Sequence, residues 1–409
     1  MDKPRDLGLL MIGMGLTSLP LGYTLVVLPI YLNEIGFSEE IIGAITSASA
    51  LANTIALIPF AIAADRYGRK PFVVGGFISA TLAYALFAFT QDLNSLLVAS
   101  AIGGVGLAGG FSAAVWGPAW IALLAEKAPH ERRPGAFAFS QGVWTIALTA
   151  GSAMGVLPAL LRTTFRVSFV DSFQYVFVTY AALAILSGLV ILPVAESKAE
   201  LVRLDGPWSK RFFPRKSLPQ ISKFSVTFGL VGFGSGISVQ LLSLWFKKMY
   251  VINEAVLAPW FAAAEITSLI VVPLIPRLTR AWGSSKSVFA TQGLSAALLG
   301  LMIFAPTYEL AGLLFIVRNF FMNMSWPIQQ SYLMGTVATE ERASASAITS
   351  TIWGIGSSIS PILAGILLAG STYISVSAPL LIGATVYLVS AVAFYYFFRG
   401  ILPPEEMPT

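Results

Sequence analysis

Apolar runs of roughly 20 residues or more recur along nearly the whole chain, separated by short stretches that carry the charges and many of the turn residues. A run of that length crosses a bilayer core as a helix, at about 1.5 Å of rise per residue. A membrane barrel would show short alternating segments instead. The pattern predicts helices over residues 7–32, 39–64, 72–90, 95–125, 136–161, 174–194, 220–249, 254–276, 286–305, 310–337, 344–370 and 376–398. The fold class that follows is all-α and integral to the membrane, with twelve transmembrane helices. The first run follows a short head with Lys3 and Arg5, but its length and the absence of a small-residue cleavage pattern predict a retained helix, not a signal peptide.

The longest polar stretch, Ala195 to Pro219, holds Lys198, Arg203, Lys210, Arg211, Arg215 and Lys216 together with Pro207, Pro214 and Pro219. It divides six helices from six, giving an N-terminal bundle over 1–194, a cytoplasmic linker over 195–219 and a C-terminal bundle over 220–409. Its basic residues suit cytoplasmic retention and contact with membrane lipids bearing anionic headgroups.

Composition agrees with this picture: 56% of residues are hydrophobic, 11% are charged and the mean hydropathy is +0.78. A soluble domain carries about 25% charged residues. When the predicted helices are threaded from a cytoplasmic N-terminus, only Arg162, Arg166, Lys247 and Lys248 of the 25 Lys and Arg fall outside, with Arg318 inside the membrane. That asymmetry is the positive-inside rule, and it places both termini in the cytoplasm of a cell (inner or plasma) membrane protein. The basic balance is therefore a topology signal, and no nucleic-acid partner is expected. Cysteine is absent and His130 is the only histidine, so no metal or cofactor is expected either. Gly103-Gly104-Val105-Gly106 follows no strand and reads as close helix packing and a bending point. No Walker lysine motif or hydrolytic constellation occurs, which argues against ATP binding and against an enzyme.

Sliding one half along the other exposes an internal repeat. At an offset of 209 residues Pro118 falls on Pro327, Glu131 on Glu340, Arg133 on Arg342, Ala136 on Ala345, Ala138 on Ala347 and Trp144 on Trp353, with no gap. Predicted helices 10 and 11 are thus counterparts of 4 and 5. Both copies enter in the same orientation, which implies two parallel, pseudo-symmetric six-helix bundles, an arrangement known among transporters.

Between helices 2 and 3 lies Asp65-Arg66-Tyr67-Gly68-Arg69-Lys70-Pro71. Glycine permits a tight turn between antiparallel helices, cationic residues hold the loop on the cytoplasmic side, and Asp65 can pair with them or with a helix N-terminus. In this loop the sequence resembles the major facilitator superfamily, whose hallmark is D-R-x-G-R-[RK] at this place. The resemblance covers the chain from Leu7 to Arg399 and implies that Asp65, Arg66, Gly68 and Arg69 form a gating latch that steadies the outward-open state, with the start of helix 11 near Ser344 as its neighbour. The second-half counterpart, Arg277 to Lys286, keeps a glycine and basic residues but no acid. Proton-driven drug exporters of the family carry an arginine and a glutamine early in helix 4, where this chain has Ser100 and Gly103, and their helix 5 Gly-Pro signature is absent. Sugar-porter signatures are likewise not evident.

Charges inside hydrocarbon normally face a bundle interior or a wet cavity. Glu265 and Arg318 lie about ten and nine residues into predicted helices 8 and 10, each roughly 13–15 Å below the outer surface. By the family resemblance both helices border a central cavity. An acid–base pair across the two helices then serves function, with Glu265 binding a proton or Arg318 an anionic group of the substrate and the pair broken and remade during the cycle; the alternative is a static buried pair that locks the C-terminal half. Tyr23, Asn53, Trp144, Asn319, Asn323 and Trp353 are the substrate-cavity candidates at the same depth, while Gln141 and Gln240 sit nearer the ends. Pro118 and Pro327 are expected to bend their helices. The function expected is secondary transport of a small organic, amphipathic solute by alternating access, coupled to protons, by a monomer. A facilitated uniporter or organic-anion carrier, and more distantly a non-transporting sensor, remain as alternatives.

Overall fold

The structure, a computed structural model, describes residues 4–104, 109–128, 133–196, 216–338 and 341–400. Val105, Gly106, His130, Glu131, Glu340 and most of the central linker lie outside the described residues. Among the described residues there are helices and no strands. The helices are α1 (Pro4–Glu34), α2 (Glu39–Tyr67), α3 (Lys70–Phe89), α4 (Leu93–Gly103), α5 (Gly110–Lys127), α6 (Arg133–Ala153), α7 (Leu157–Phe165) and α8 (Phe169–Ile191). In the second half they are α9 (Leu218–Ser238), α10 (Leu242–Tyr250), α11 (Glu254–Val271), α12 (Ile275–Trp282), α13 (Ser284–Met302), α14 (Tyr308–Thr336), α15 (Arg342–Ala369) and α16 (Tyr373–Phe398).

Nine segments among the described residues are long and apolar enough to cross a membrane, and α4 with α5, α13 and α14 fill the remaining places of the twelve. Large apolar side chains point outward, among them Ile55 at 68% and Phe89 at 77% exposure, which suits a lipid surround and not water. Helix starts carry side-chain caps: Asp92 accepts from the Ser95 amide, Ser168 from Asp171, Thr307 from Leu310 and Thr372 from Ser375.

Four predicted helices are interrupted. Predicted helix 4 breaks at Gly104, where φ is +90°. Predicted helix 5 passes through a 3₁₀ turn at Met154–Val156, and helix 8 through one at Val272–Leu274 that contains Pro273. Predicted helix 7 breaks between Ser238 and Leu242. The stretch read as the degenerate loop begins instead as helix, since α12 runs through Arg277 and Arg280 and ends at Gly283. Pro118 and Pro327 both lie inside helices, α5 and α14.

The chain divides into two compact units, Met1–Leu204 with Val251–Ala262, and Asp205–Tyr250 with Ala263–Thr409. Within the first, α1 packs on α6 and α3 on α8; within the second, the corresponding pairs are α9 with α15 and α13 with α16. A Cβ on Gly22 would meet the Leu148 carbonyl oxygen at 2.0 Å, and one on Gly232 would meet the Trp353 carbonyl oxygen at 2.2 Å. Only glycine allows backbones to approach so closely. Each unit has its own core, around Phe77, Trp116, Trp120 and Leu123 in the first and Phe224, Phe228, Tyr332 and Phe394 in the second.

Candidate functional site

The D-R-Y-G-R-K turn is built from the last turn of α2 and the first of α3. Gly68 adopts φ +106° and its amide returns to the Ala64 carbonyl at 3.0 Å, which stops α2 and reverses the chain. Arg69 then points inward. Its guanidinium lies 3.3 Å from the Glu126 carboxylate and 3.7 Å from Asp65, with Glu126 only 6% exposed and Asp65 48%. The amides of Arg69 and Lys70 donate to the carboxylate of Glu196, the latter at 3.2 Å, so an acid from beyond α8 caps α3. Arg66 stays exposed, over the ring of Tyr67. Glu126 and Glu196 were missed in the sequence. The available signal was that each is an acid directly following an apolar run at the membrane level of the loop.

Trp144 and Trp353, matched by the repeat, have matched surroundings. Trp144 lies 6.5 Å from Trp116 of α5, and Trp353 lies 6.1 Å from Trp326 of α14, each in its own unit. Both remain half-buried. Tyr23, expected on the cavity, is instead fully buried in the first unit, edge-on to Phe177 and Tyr180 at 6.0 and 5.1 Å. Asn53 ties α2 to α5 through a 2.9 Å bond to the Gly110 carbonyl.

In the second unit the two intramembrane charges do not pair: among the described residues no cation lies within ion-pair distance of Glu265. Glu265 is half-buried on α11, and its side chain has no hydrogen-bond partner there either. Arg318, 3% exposed, donates from Nη1 to Asn319 at 3.0 Å and packs its guanidinium 5.2 Å from the Tyr387 ring centre. Its Nε and Nη2 find no acceptor among the described residues. Asn323 donates to Thr267 at 3.4 Å, linking α14 to α11. Below them Gln292, Ser325 and Gln329 form a buried amide–hydroxyl network, with Gln292 donating to the Tyr387 carbonyl at 3.1 Å. The static lock therefore fails for the ion pair, while polar bonds of Asn323 and Gln292 tie α14 to α11 and α13 to α16.

A charge pair that sequence reading did not foresee lies in the first unit, which includes the start of α11. Arg162 Nη2 donates to Glu254 at 2.6 Å, with the carboxylate 1% exposed and the guanidinium flanked by Phe169 and Phe173. Among the described residues there is no cluster of acidic or histidine side chains able to hold a metal ion.

The family profile described as Major Facilitator Superfamily matches residues 10–361 and 224–409. Multidrug resistance protein 1 of Bacillus subtilis is 24% identical over 369 residues, covering 89% of this chain and 90% of the relative. Quinolone resistance protein NorA of Staphylococcus aureus is 22% identical over 85% of this chain and 86% of its own length. The crystal structure of the nucleoside transporter NupG superposes with a TM-score of 0.74 at 15% identity, over 97% of this chain and 100% of that one.

Proposed function

The chain belongs to the major facilitator superfamily, and from that premise we propose that this membrane transporter moves a small organic, amphipathic solute by rocker-switch alternating access, coupled to protons through Glu265. The observation that carries the proton role is the state of that carboxylate: half-buried on a membrane-spanning helix, with no cation or hydrogen-bond donor on its side chain among the described residues. A coupling acid must gain and lose a proton in each cycle, and a permanent guanidinium partner would hold it ionised.

Trp144 and Trp353, half-buried tryptophans at matched positions, supply amphipathic side chains suited to an amphipathic solute. Relatives named for multidrug and quinolone resistance support export of such compounds. The coupling route differs from that of exporters with a helix 4 arginine, because Ser100 stands at that place and spends its hydroxyl on the Ile45 carbonyl. Asp65, Arg66, Gly68 and Arg69 act as the gating latch, with both termini cytoplasmic and the protein a monomer.

Counterflow of quinolone-like solutes in proteoliposomes, with and without a pH gradient, tests this reading. Both the native protein and Glu265→Gln exchange labelled for preloaded solute without a pH gradient, but in vesicles with no preloaded solute only the native protein accumulates it above equilibrium, and only when a pH gradient is imposed. Unchanged pH dependence in that variant removes the proton role. A second reading, an organic-anion carrier or uniporter, is favoured by the two unpartnered nitrogens of Arg318. A carboxylate could accept from both in the bidentate geometry that guanidinium favours.

A further inference from the structure

The turns after α2 and after α12 share a backbone design and oppose each other in charge. Gly68 and Gly283 both end a helix at positive φ, +106° and +73°, with an amide bond back to Ala64 and Thr279. Aligned on these glycines, Tyr67 matches Trp282, Asp65 matches Arg280, and Arg69 matches Ser284. The first turn is thus internally neutralised by Asp65, Glu126 and Glu196. In the second, Arg277, Arg280 and Lys286 are exposed, and none has an acidic partner among the described residues.

Beside these cations a groove of about 460 Å³ opens between α12, α13 and α14. Its walls are Leu274, Leu278, Ala281, Leu294, Phe321 and Met324, and Arg277 stands among them as the one charged lining residue. Along α12, Arg277 and Ala281 are one helical turn apart, as are Leu278 and Trp282, so one face of the helix lines the groove, and Arg280 follows Arg277 at i+3. Trp282, also lining it, is 55% exposed, as an interfacial anchor would be.

An apolar trough continuous with unneutralised guanidinium groups fits a ligand with a hydrocarbon tail and an anionic head. We propose that this groove binds one anionic phospholipid, its phosphate held by Arg277 and Arg280 and an acyl chain lying along Leu278, Leu294 and Phe321. The assignment rests on the membrane location of the chain and not on the solute or the coupling ion. Each basic residue near an anionic lipid surface contributes about 1 kcal/mol, so losing both arginines weakens binding by roughly tenfold or more.

The test uses the full chain purified in a neutral detergent and titrated with phosphatidylglycerol, phosphatidylcholine or glycerol 3-phosphate, with bound lipid counted by native mass spectrometry and stability followed by thermal shift. The native protein should hold one phosphatidylglycerol at least about tenfold more tightly than phosphatidylcholine, and glycerol 3-phosphate should neither stabilise it nor compete. The double variant Arg277→Gln/Arg280→Gln should lose the preference, whereas Arg399→Gln, an exposed cation elsewhere, should keep it. Leu294→Trp, which fills the trough and leaves the arginines intact, should also weaken phosphatidylglycerol. Equal binding of the two lipids by the native protein, an undiminished preference in the double variant, or competition by glycerol 3-phosphate overturns the proposal. Binding is read without transport, so its failure is separate from any failure of Glu265 to couple protons.

Discussion

The guanidinium of Arg318 on α14 lies 5.2 Å from the centre of the Tyr387 ring on α16, so an aromatic face carries a buried cation that has no carboxylate partner among the described residues. Tyr387→Phe keeps the ring and should change stability little. Tyr387→Leu removes the cation–π contact and leaves a void, lowering stability by about 2 kcal/mol in thermal unfolding of the purified protein. Arg318→Lys retains the charge but not the planar fork. If organic anions are cargo, it should weaken the thermal stabilisation they give by roughly tenfold in concentration.

Glu265 has neither a cation nor a hydrogen-bond donor on its side chain among the described residues. Glu265→Gln should therefore fold like the native protein, with a melting temperature unchanged or slightly raised, because it removes a half-buried charge that no partner offsets. A large fall in melting temperature would mean that the carboxylate is structural.

Arg69 and Glu126 form the most buried contact of the latch. Arg69→Gln and Glu126→Gln should each slow transport, and a double-mutant cycle on stability should show coupling of about 1 kcal/mol or more. Arg66→Gln, at an exposed position, should alter stability by no more than about 0.5 kcal/mol. Additive effects of the Arg69 and Glu126 changes would show that the contact contributes nothing.

The Arg162–Glu254 pair is short and buried on its acid side. Glu254→Leu leaves the Arg162 guanidinium between Phe169 and Phe173 with Ser172 in place of its carboxylate partner, at a cost of about 2 kcal/mol. Exchanging the charges, Arg162→Glu with Glu254→Arg, should recover part of that loss. A swap no better than the single change would locate the effect in packing.

Gly22 and Gly8 give a contrast within one helix. Gly22→Ala drives a methyl into the Leu148 carbonyl oxygen and should cost about 3 kcal/mol or more, while Gly8, where an added methyl would meet nothing within 4 Å, should accept Ala and gain about 0.5 kcal/mol. The yield of folded protein after detergent extraction separates the two.

Much of the architecture was legible because hydrocarbon imposes a simple rule: every backbone group must be satisfied within its helix, so long apolar runs have one outcome. The repeat was legible for a related reason, since Trp144 and Trp353 keep their tryptophan neighbours in both units. Partners across the fold were not. Glu126, Glu196 and Glu254 are distant in sequence from Arg69, Lys70 and Arg162, and their roles depend on how helices pack. The break at Gly104 falls in a glycine run that already signals a bending point, whereas the one at Pro273 was hidden by continuous hydropathy, which measures solvent preference and not backbone path. Tyr23 was misplaced because a phenol at membrane depth suits a wet cavity and an aromatic core equally well, and only the positions of Phe177 and Tyr180 decide between them.

The backbone contacts at Gly22 and Gly232 carry a mechanical consequence. Where α1 rests on α6 and α9 on α15, no side chain stands between the backbones at Gly22 and Gly232, and any methyl added there would force the helices apart. Each pair is a close joint whose spacing is set by backbone and not by side chains. Each unit therefore has fewer internal degrees of freedom than its number of helices suggests, because two of its helices share one backbone-to-backbone seat.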